Sequence, residues 1–524
     1  METGRLMFLF LLAAALALLS ARLVVWRYRK TMTRLMQAAT TPVSDTPATA
    51  VPGEPVRSPP APLSLADNRR ALWWLVALLV GLSLLMALTR AYIEFRFVYE
   101  TEPTVSRLAT LALVFAWPVI PVIGLLRRWS RWRVGGLLAA WWLAALALLA
   151  WRTTEAVSLA ALVQMLSMEI GLPLIVVATL CLGSATRAVG PWLLPPFLVL
   201  SWSSQSGLDL LESLVDDRAP LLPALSAWFG VWPVIIGFGL LPWLLAWWPV
   251  KWLGHWLARA YTSRHFSELI YLFSAVWGIA LFFPALSSAS HLGWGGAIVL
   301  LPLLWIPLAM LLAPRLRPAI PGRPPTLLVL RVFQQDAAVS ALFDQVIERW
   351  RLTGNTVLIA GTDLVDRTID AEDIFTFIDR RLGERFIRSP SEVAPRLAAF
   401  ELAPDAEGRY RINECYCHDQ TWQAALAALV GISDVVLMDL RSFKARNKGC
   451  IHELGVLARA SGVARVVVLT SAESELPAAR DAAGGAPADR FVWLDLDSSR
   501  RFQAAQVLAA LFPEPSAKTE KSGP

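Results

Sequence analysis

The chain has 524 residues, a net charge of +7 and a hydrophobic share of 56%, too long for one ordinary domain and split in composition along its length. Four cysteines, Cys181, Cys415, Cys417 and Cys450, exclude a disulfide framework at this size. The surplus arginines flank hydrophobic runs and no basic face is interleaved with aromatics, which argues against a nucleic-acid partner.

A helix needs about 20 apolar residues to cross a bilayer, because every backbone polar group must be satisfied inside it. Such runs lie at 6–26, 71–89, 108–126, 134–151, 156–182, 190–204, 221–249, 269–288 and 296–313, which predicts nine spans. The sixth is the weakest, being short and carrying Pro191, Pro195 and Pro196. Residues 1–30 read as an uncleaved anchor rather than a signal peptide, since Arg27, Arg29 and Lys30 follow the apolar stretch instead of preceding it. Residues 31–68, rich in Pro, Ala and Thr, read as a disordered linker, and 69–318 as a polytopic helical membrane domain of about eight further spans.

With nine spans, the segments holding Arg34, Arg69, Arg70, Arg127, Arg128, Arg131, Arg133, Lys251, Arg259, Arg315 and Arg317 fall on one side. The positive-inside rule makes that side cytoplasmic, so the N-terminus is expected outside and the C-terminal domain inside. The Ala/Leu/Arg-rich composition fits a bacterial inner membrane. Segment 251–261, which alternates Trp and Leu with Lys, His and Arg, is expected at the interface. Glu169 is the one acid near the middle of a span, with Gln164 before it and Pro173 after. It suits either a proton or cation path or a polar contact to another helix, and the contact is the favoured reading.

After Pro324-Pro325 short β-branched runs alternate with helical spacing. Strands are predicted at 327–333, 356–360, 434–440, 465–469 and 491–496, and helices at 339–352, 371–382, 421–430 and 448–460. Residues 409–417 read as an inserted hairpin or an edge strand. Near-continuous apolar strands alternating with helices imply a parallel sheet covered on both faces, here over 325–512, with a disordered tail at 513–524. The fold class is therefore a multi-pass α-helical membrane region followed by a cytoplasmic α/β domain. In such sheets ligands bind outside the carboxyl ends of the strands, which selects the loops after Phe333, Ala360 and Leu440. No glycine-rich dinucleotide fingerprint, phosphate-binding Lys-Ser/Thr motif or nucleophile elbow is present, which removes most of the weight from kinase, P-loop ATPase and hydrolase readings.

Residues 424–457 are more specific. An apolar helix ends at Ser433-Asp434, an apolar strand and a short loop follow, and Cys450-x-x-Glu453-Leu454 opens the next helix. This arrangement resembles the core of TIR domains, within the flavodoxin-type folds that also include nucleoside deoxyribosyltransferases. The order of elements from Leu327 onward is similar as well. The resemblance implies that Glu453 is the catalytic glutamate of NAD cleavage, and that Cys450 is the cysteine three residues before it. NAD is then a substrate, no cofactor is required, and a role in bacterial defence or stress signalling is implied. Cleaving a ribosyl bond builds positive charge at the anomeric carbon, which a carboxylate at the mouth of the sheet can stabilise.

Phe333, Asp336, Gly361, Asp363 and Arg441, at the strand ends, join Cys450 and Trp422 as candidate ligand-binding residues; Trp422 suits base stacking and core packing equally. Cys415-x-Cys417-His418 and Cys450-x-His452 fit no common zinc spacing, and no metal site is expected. The expected partners are the lipid bilayer, a nucleotide ligand and further copies of the chain, with no nucleic acid. Three functional classes remain open: an NAD glycohydrolase on a membrane anchor, a non-catalytic nucleotide or partner sensor that gates or assembles the membrane helices, and a membrane carrier with a regulatory cytoplasmic domain.

Overall fold

The structure, a computed structural model, describes residues 2–37, 58–153, 157–183, 186–218, 220–318, 321–331, 337–360, 371–418, 420–487, 489–496 and 502–513. It divides into two compact units, one of residues 1–28, 78–311 and 369–375 and the other of 29–77, 312–368 and 376–524.

The helices of the N-terminal 316 residues are α1 (Glu2–Gln37), α2 (Leu65–Ile93), α3 (Val105–Phe115), α4 (Val119–Leu126), α5 (Arg131–Arg152), α6 (Leu159–Leu166), α7 (Leu172–Leu180), α8 (Gly190–Asp216), α9 (Leu221–Phe229), α10 (Val231–Thr262), α11 (Glu268–Leu292) and α12 (Trp305–Leu316). Among the described residues seven helical stretches are long and apolar enough to cross a membrane, or eight if α3 and α4 make one bent span. That number of long apolar helices suggests a membrane protein. Their starts follow from local chemistry: Thr104, Ser130, Ser158 and Ser267 each accept a hydrogen bond from the backbone N–H three residues on, which satisfies a donor the helix leaves free. Two π-helical turns, Glu94–Val98 after α2 and Ser167–Gly171 between α6 and α7, interrupt otherwise regular spans.

Three expectations are corrected here. Among the described residues the stretches long and apolar enough to cross by themselves number seven or eight rather than nine, because the sixth lies in α8, whose C-terminal half carries Gln205, Asp209, Glu212 and Asp216. The predicted span 221–249 is two helices, broken at Gly230, whose φ of +85° suits a residue without a Cβ. The stretch 31–68 is not all linker: α1 runs on to Gln37, and residues 58–68 are placed, while 38–57 lie outside the described residues. The pair α8 and α10 pack closely through small residues. The Ser204 hydroxyl donates to the Gly239 carbonyl at 2.7 Å, and a Cβ on Gly207 would collide with the Phe238 carbonyl.

The second unit is built on a parallel seven-stranded sheet of β1 (Thr326–Arg331), β2 (Asn355–Ala360), β3 (Phe386–Ile387), β4 (Ile412–Cys417), β5 (Val435–Asp439), β6 (Arg465–Thr470) and β7 (Phe491–Asp495). The spatial order is β3-β4-β2-β1-β5-β6-β7, with every pair parallel. Around it lie α13 (Ala337–Leu342), α14 (Glu348–Trp350), α15 (Ala371–Ile378), α16 (Val393–Ala398), α17 (Trp422–Ile432), α18 (Lys448–Arg459), α19 (Leu476–Ala482) and α20 (Ala504–Leu511). The near-continuous apolar strands are explained by burial on both faces. Leu328, Leu330, Val436, Met438, Val466 and Val468 pack with α17 and α18 through Leu426, Leu429, Leu454 and Leu457. On another side of the unit, the Trp350 and Phe512 rings meet with centroids 5.2 Å apart.

All five predicted strands form, within a residue or two of their expected bounds. Residues 409–417 are corrected: they hold no hairpin or sheet edge but the interior strand β4, because the two-residue β3, absent from the sequence reading, pairs with its outer side. The segments leading to the unit are tied to it. The Ala61 N–H donates to the Arg323 carbonyl at 2.7 Å, and Asn68 binds the Arg349 backbone and guanidinium. Arg323 makes a bidentate pair with Asp434, whose carboxylate also takes the Thr326 N–H at 2.8 Å.

The strand order places the site. The chain leaves β1 toward β2 and leaves β5 toward β6, in opposite directions across the sheet. Connections that diverge from adjacent parallel strands open a crevice at the carboxyl ends, here those of β1 and β5.

Candidate functional site

The helix that follows β5 carries an acid where its pattern calls for a hydrophobe. The residues of α18 that turn inward are Cys450, Glu453, Leu454, Leu457 and Ala458, the i, i+3, i+4, i+7, i+8 stripe of an amphipathic helix against a core. Four of the five suit that position. Glu453 is only 8% exposed, and among the described residues its Oε2 has no hydrogen-bond partner. Burial pushes its carboxyl up to about 8, a rise that a hydrogen bond from the Cys450 thiol only partly offsets. The Cys450 thiol is in turn pushed up to about 12, first by its own burial and then by the Glu453 carboxylate. At neutral pH both groups are therefore mainly protonated, and the thiol is a poor nucleophile.

The loop from Leu440 to Asn447 is held firmly beneath them. Arg441 folds back on Asp439, the last residue of β5, donating from Nε at 2.8 Å and Nη2 at 2.6 Å. The Ser471 hydroxyl donates to the Arg441 carbonyl, and the Ser474 hydroxyl to that of Leu440 at 2.7 Å. Glu475 accepts from the Ala445 N–H at 2.8 Å, while its own N–H donates to the Phe443 carbonyl. Asn447 closes the loop by accepting from the Lys444 N–H at 2.8 Å, one residue before α18 begins. The loop after β6 thus fixes the loop after β5, and with it the first turn of α18, so Glu453 is presented from rigid elements.

The candidate residues divide accordingly. Cys450 and Glu453 come together on one turn. Trp422, at the start of α17, is half-buried against the same core, and its ring meets the His452 ring edge-on with centroids 5.3 Å apart. Arg441 is engaged with Asp439 rather than projecting freely from the strand end. Phe333, Asp336, Gly361 and Asp363 lie outside the described residues. Among the described residues no group of three or more His, Cys, Asp or Glu is placed to hold a metal ion. Burial pushes the Cys415 thiol up to about 12 and raises that of Cys417 as well.

The chain matches no protein-family model, no curated protein and no solved structure. The site therefore rests on its own chemistry: a buried carboxyl with one oxygen unpartnered among the described residues, a thiol that donates to it, and a half-buried indole against the same core.

In the first unit, sequence reasoning singled out Glu169 but missed its charged neighbours, the buried Arg90 and Glu94. Glu169, in the π turn between α6 and α7, receives both terminal nitrogens of Arg90, at 2.5 and 2.7 Å. Arg90 Nε donates to Glu94 at 2.8 Å, and the Phe115 ring lies 3.7 Å from the guanidinium carbon. The favoured reading of Glu169, a polar contact to another helix, agrees with this geometry. The signal that could have located its partner is Arg90 with Glu94 at i, i+4 at the end of an apolar run. A cavity of about 720 Å³ lies elsewhere in that unit, and Leu198, Trp202, Pro242, Leu245 and Phe282 give it an apolar lining that suits hydrocarbon rather than a polar substrate.

Proposed function

We propose that the C-terminal domain is a TIR-like, flavodoxin-type module that binds NAD or a related nucleotide and cleaves its N-ribosyl bond with Glu453, while the helices hold it at the membrane. The observation that carries this reading is the buried Glu453 carboxyl, one oxygen of which has no partner among the described residues, on the core face of the helix after β5. Leaving out β3 and β4, the order β2-β1-β5-β6-β7 is the doubly wound order 2-1-3-4-5, whose ligands sit at the strand-order switch.

In this reading the ionised Glu453 holds the ribose hydroxyls and faces the anomeric carbon. The carbon–nitrogen bond breaks with its electron pair leaving on nicotinamide, and the sugar cation is captured by water, which releases a proton. A cationic nicotinamide ribosyl group entering the crevice favours loss of the Glu453 proton, because the charge that the apolar surroundings disfavour then has a counter-charge. The test uses the full-length protein in nanodiscs with NAD and follows nicotinamide release. Glu453→Gln is expected to lower the rate at least ~100-fold, the scale for losing one preorganised electrostatic group. Release that is unchanged by Glu453→Gln removes the assignment.

A second reading, a nucleotide sensor without turnover, draws on the ties between this domain and its leading segments. Asp434, in the Ser-Asp pair of the motif, is gripped by Arg323, and Asn68 at the start of α2 by Arg349. A ligand that repositions the domain then pulls on both chain segments. NAD-dependent permeability of proteoliposomes without nicotinamide release would select this reading over the first.

The arginine distribution supports an inner-membrane placement with the N-terminus outside and the domain in the cytoplasm, α8 counting as a crossing through its packing with α10. Labelling of single cysteines introduced at positions 3 and 520 by an impermeant reagent is expected to modify the first, not the second, from outside intact cells. Assembly into a homo-oligomer, which would juxtapose several domains, is checked by mass measurement of the nanodisc complex.

A further inference from the structure

The charges around Arg90 do not balance. A guanidinium remains protonated in proteins, so the site holds one positive group against two carboxylates, Glu94 and Glu169. Arg90 is 1% exposed and Glu94 6%. Among the described residues no second cation pairs with either carboxylate; Tyr99 is a further titratable neighbour, and the Phe115 ring closes one side of the guanidinium. An uncompensated charge so deeply buried costs several kcal/mol, and more where the surrounding medium is hydrocarbon. Neutrality requires one more positive charge at the site.

The geometry says which carboxylate lacks it. Glu169 takes both terminal nitrogens in the bidentate arrangement that best satisfies an ionised carboxylate, whereas Glu94 receives only Nε. Each acid also sits in a π-helical turn, Glu94 at the start of one and Glu169 in the middle of the other. Such turns widen a helix by one residue and recur at functional sites. Shifting either by one residue would move its carboxylate relative to Arg90.

We propose that Arg90, Glu94 and Glu169 form a proton-binding site in the membrane-spanning region, holding one exchangeable proton on Glu94. The site stands independently of the chemistry proposed for Glu453. When the Glu169 pair opens, Arg90 is free to bind Glu94 bidentately, and the proton passes to Glu169 or leaves. Uptake and release are thereby linked to the relative position of α2 and the α6–α7 span.

The test is infrared spectroscopy of the full-length chain in nanodiscs, in a Glu453→Gln background so that the α/β-domain carboxyl does not contribute. At pH 7 a protonated carboxylic acid band that shifts in heavy water is expected. The same single band should vanish in Glu94→Gln and in Glu169→Gln, because either change leaves Arg90 with one ionised partner. A band retained in both variants overturns the proposal. So does a band absent at pH 7 that appears only when sodium and potassium are removed, since the neutralising charge is then an alkali cation. Should one variant fail to assemble, the other carries the same prediction.

Discussion

In the membrane-spanning helices Glu169 meets both terminal nitrogens of Arg90, whereas in the α/β domain Glu453 lies on a core stripe with one oxygen that no described residue satisfies. Glu453 is buried and Glu169 half-buried, and both sit on helices that turn hydrophobes inward around them. The difference lies in what offsets the cost of burial. The helical region supplies a counter-charge from a different span, while the domain supplies only a thiol one turn away, so Glu453 keeps its proton. A carboxyl left in this state destabilises the fold and is free to act on an incoming ligand, the usual trade between stability and a working site.

The comparison breaks most visibly if Arg90 proves dispensable. Arg90→Gln leaves Glu94 and Glu169 buried without their cation, and a loss of about 3–5 kcal/mol is expected, the scale for removing one partner of a buried pair. It would be read as a lowered unfolding midpoint of the purified chain at pH 7. A midpoint equal to that of the parent would mean the pair is not buried as described.

The opposite sign is expected at Glu453. Its carboxyl titrates near 8 in the folded chain and near the ordinary 4.5 when unfolded, so the folded state holds the extra proton between these values. Stability contributed by this group therefore falls as pH rises from 4.5 to 8 and is level beyond. Glu453→Gln removes that loss: it should be neutral below pH 4.5, stabilising by roughly 3 kcal/mol at pH 7, and by roughly 5 above pH 8. Destabilisation at pH 7 would place the carboxyl in a needed ion pair and erase the contrast with Glu169.

If cleavage needs the ionised carboxylate, kcat/KM for NAD should rise about fivefold between pH 7 and 8 and level off near pH 9, roughly tenfold above its value at pH 7, because this ratio reports the free protein. A profile that is flat from pH 6 to 9 would show that Glu453 is already ionised. The smallest effect is expected at Cys450. Cys450→Ala removes the one hydrogen bond that favours the carboxylate, so the rising limb should move to higher pH, with a loss at pH 7 of less than tenfold, as fits a weak thiol donor. A shift to lower pH would mean the thiol does not donate to Glu453.

Much of this protein was legible along the chain. Runs of apolar residues located the membrane-crossing stretches, since satisfying the backbone in hydrocarbon is a requirement each helix meets alone. The five principal strands were equally plain, because parallel strands buried on both faces must be apolar throughout. Glu453 was singled out by its local motif. Other features depend on contacts that no local pattern carries. The short β3 turned 409–417 from an edge into the interior strand β4, and Gly230 divided a stretch whose hydropathy is unbroken. Arg90 and Glu169 stand 79 residues apart, and their pairing exists only because the tertiary structure brings the two side chains together. The burial that raises Glu453 likewise comes from the sheet and α17, not from its neighbours in sequence. Periodicity and composition act within a few turns of backbone, so they determined which segments become helices, strands and spans. Desolvation and charge compensation act between segments, so only the tertiary structure decided that one acid would be paired and the other left with its proton.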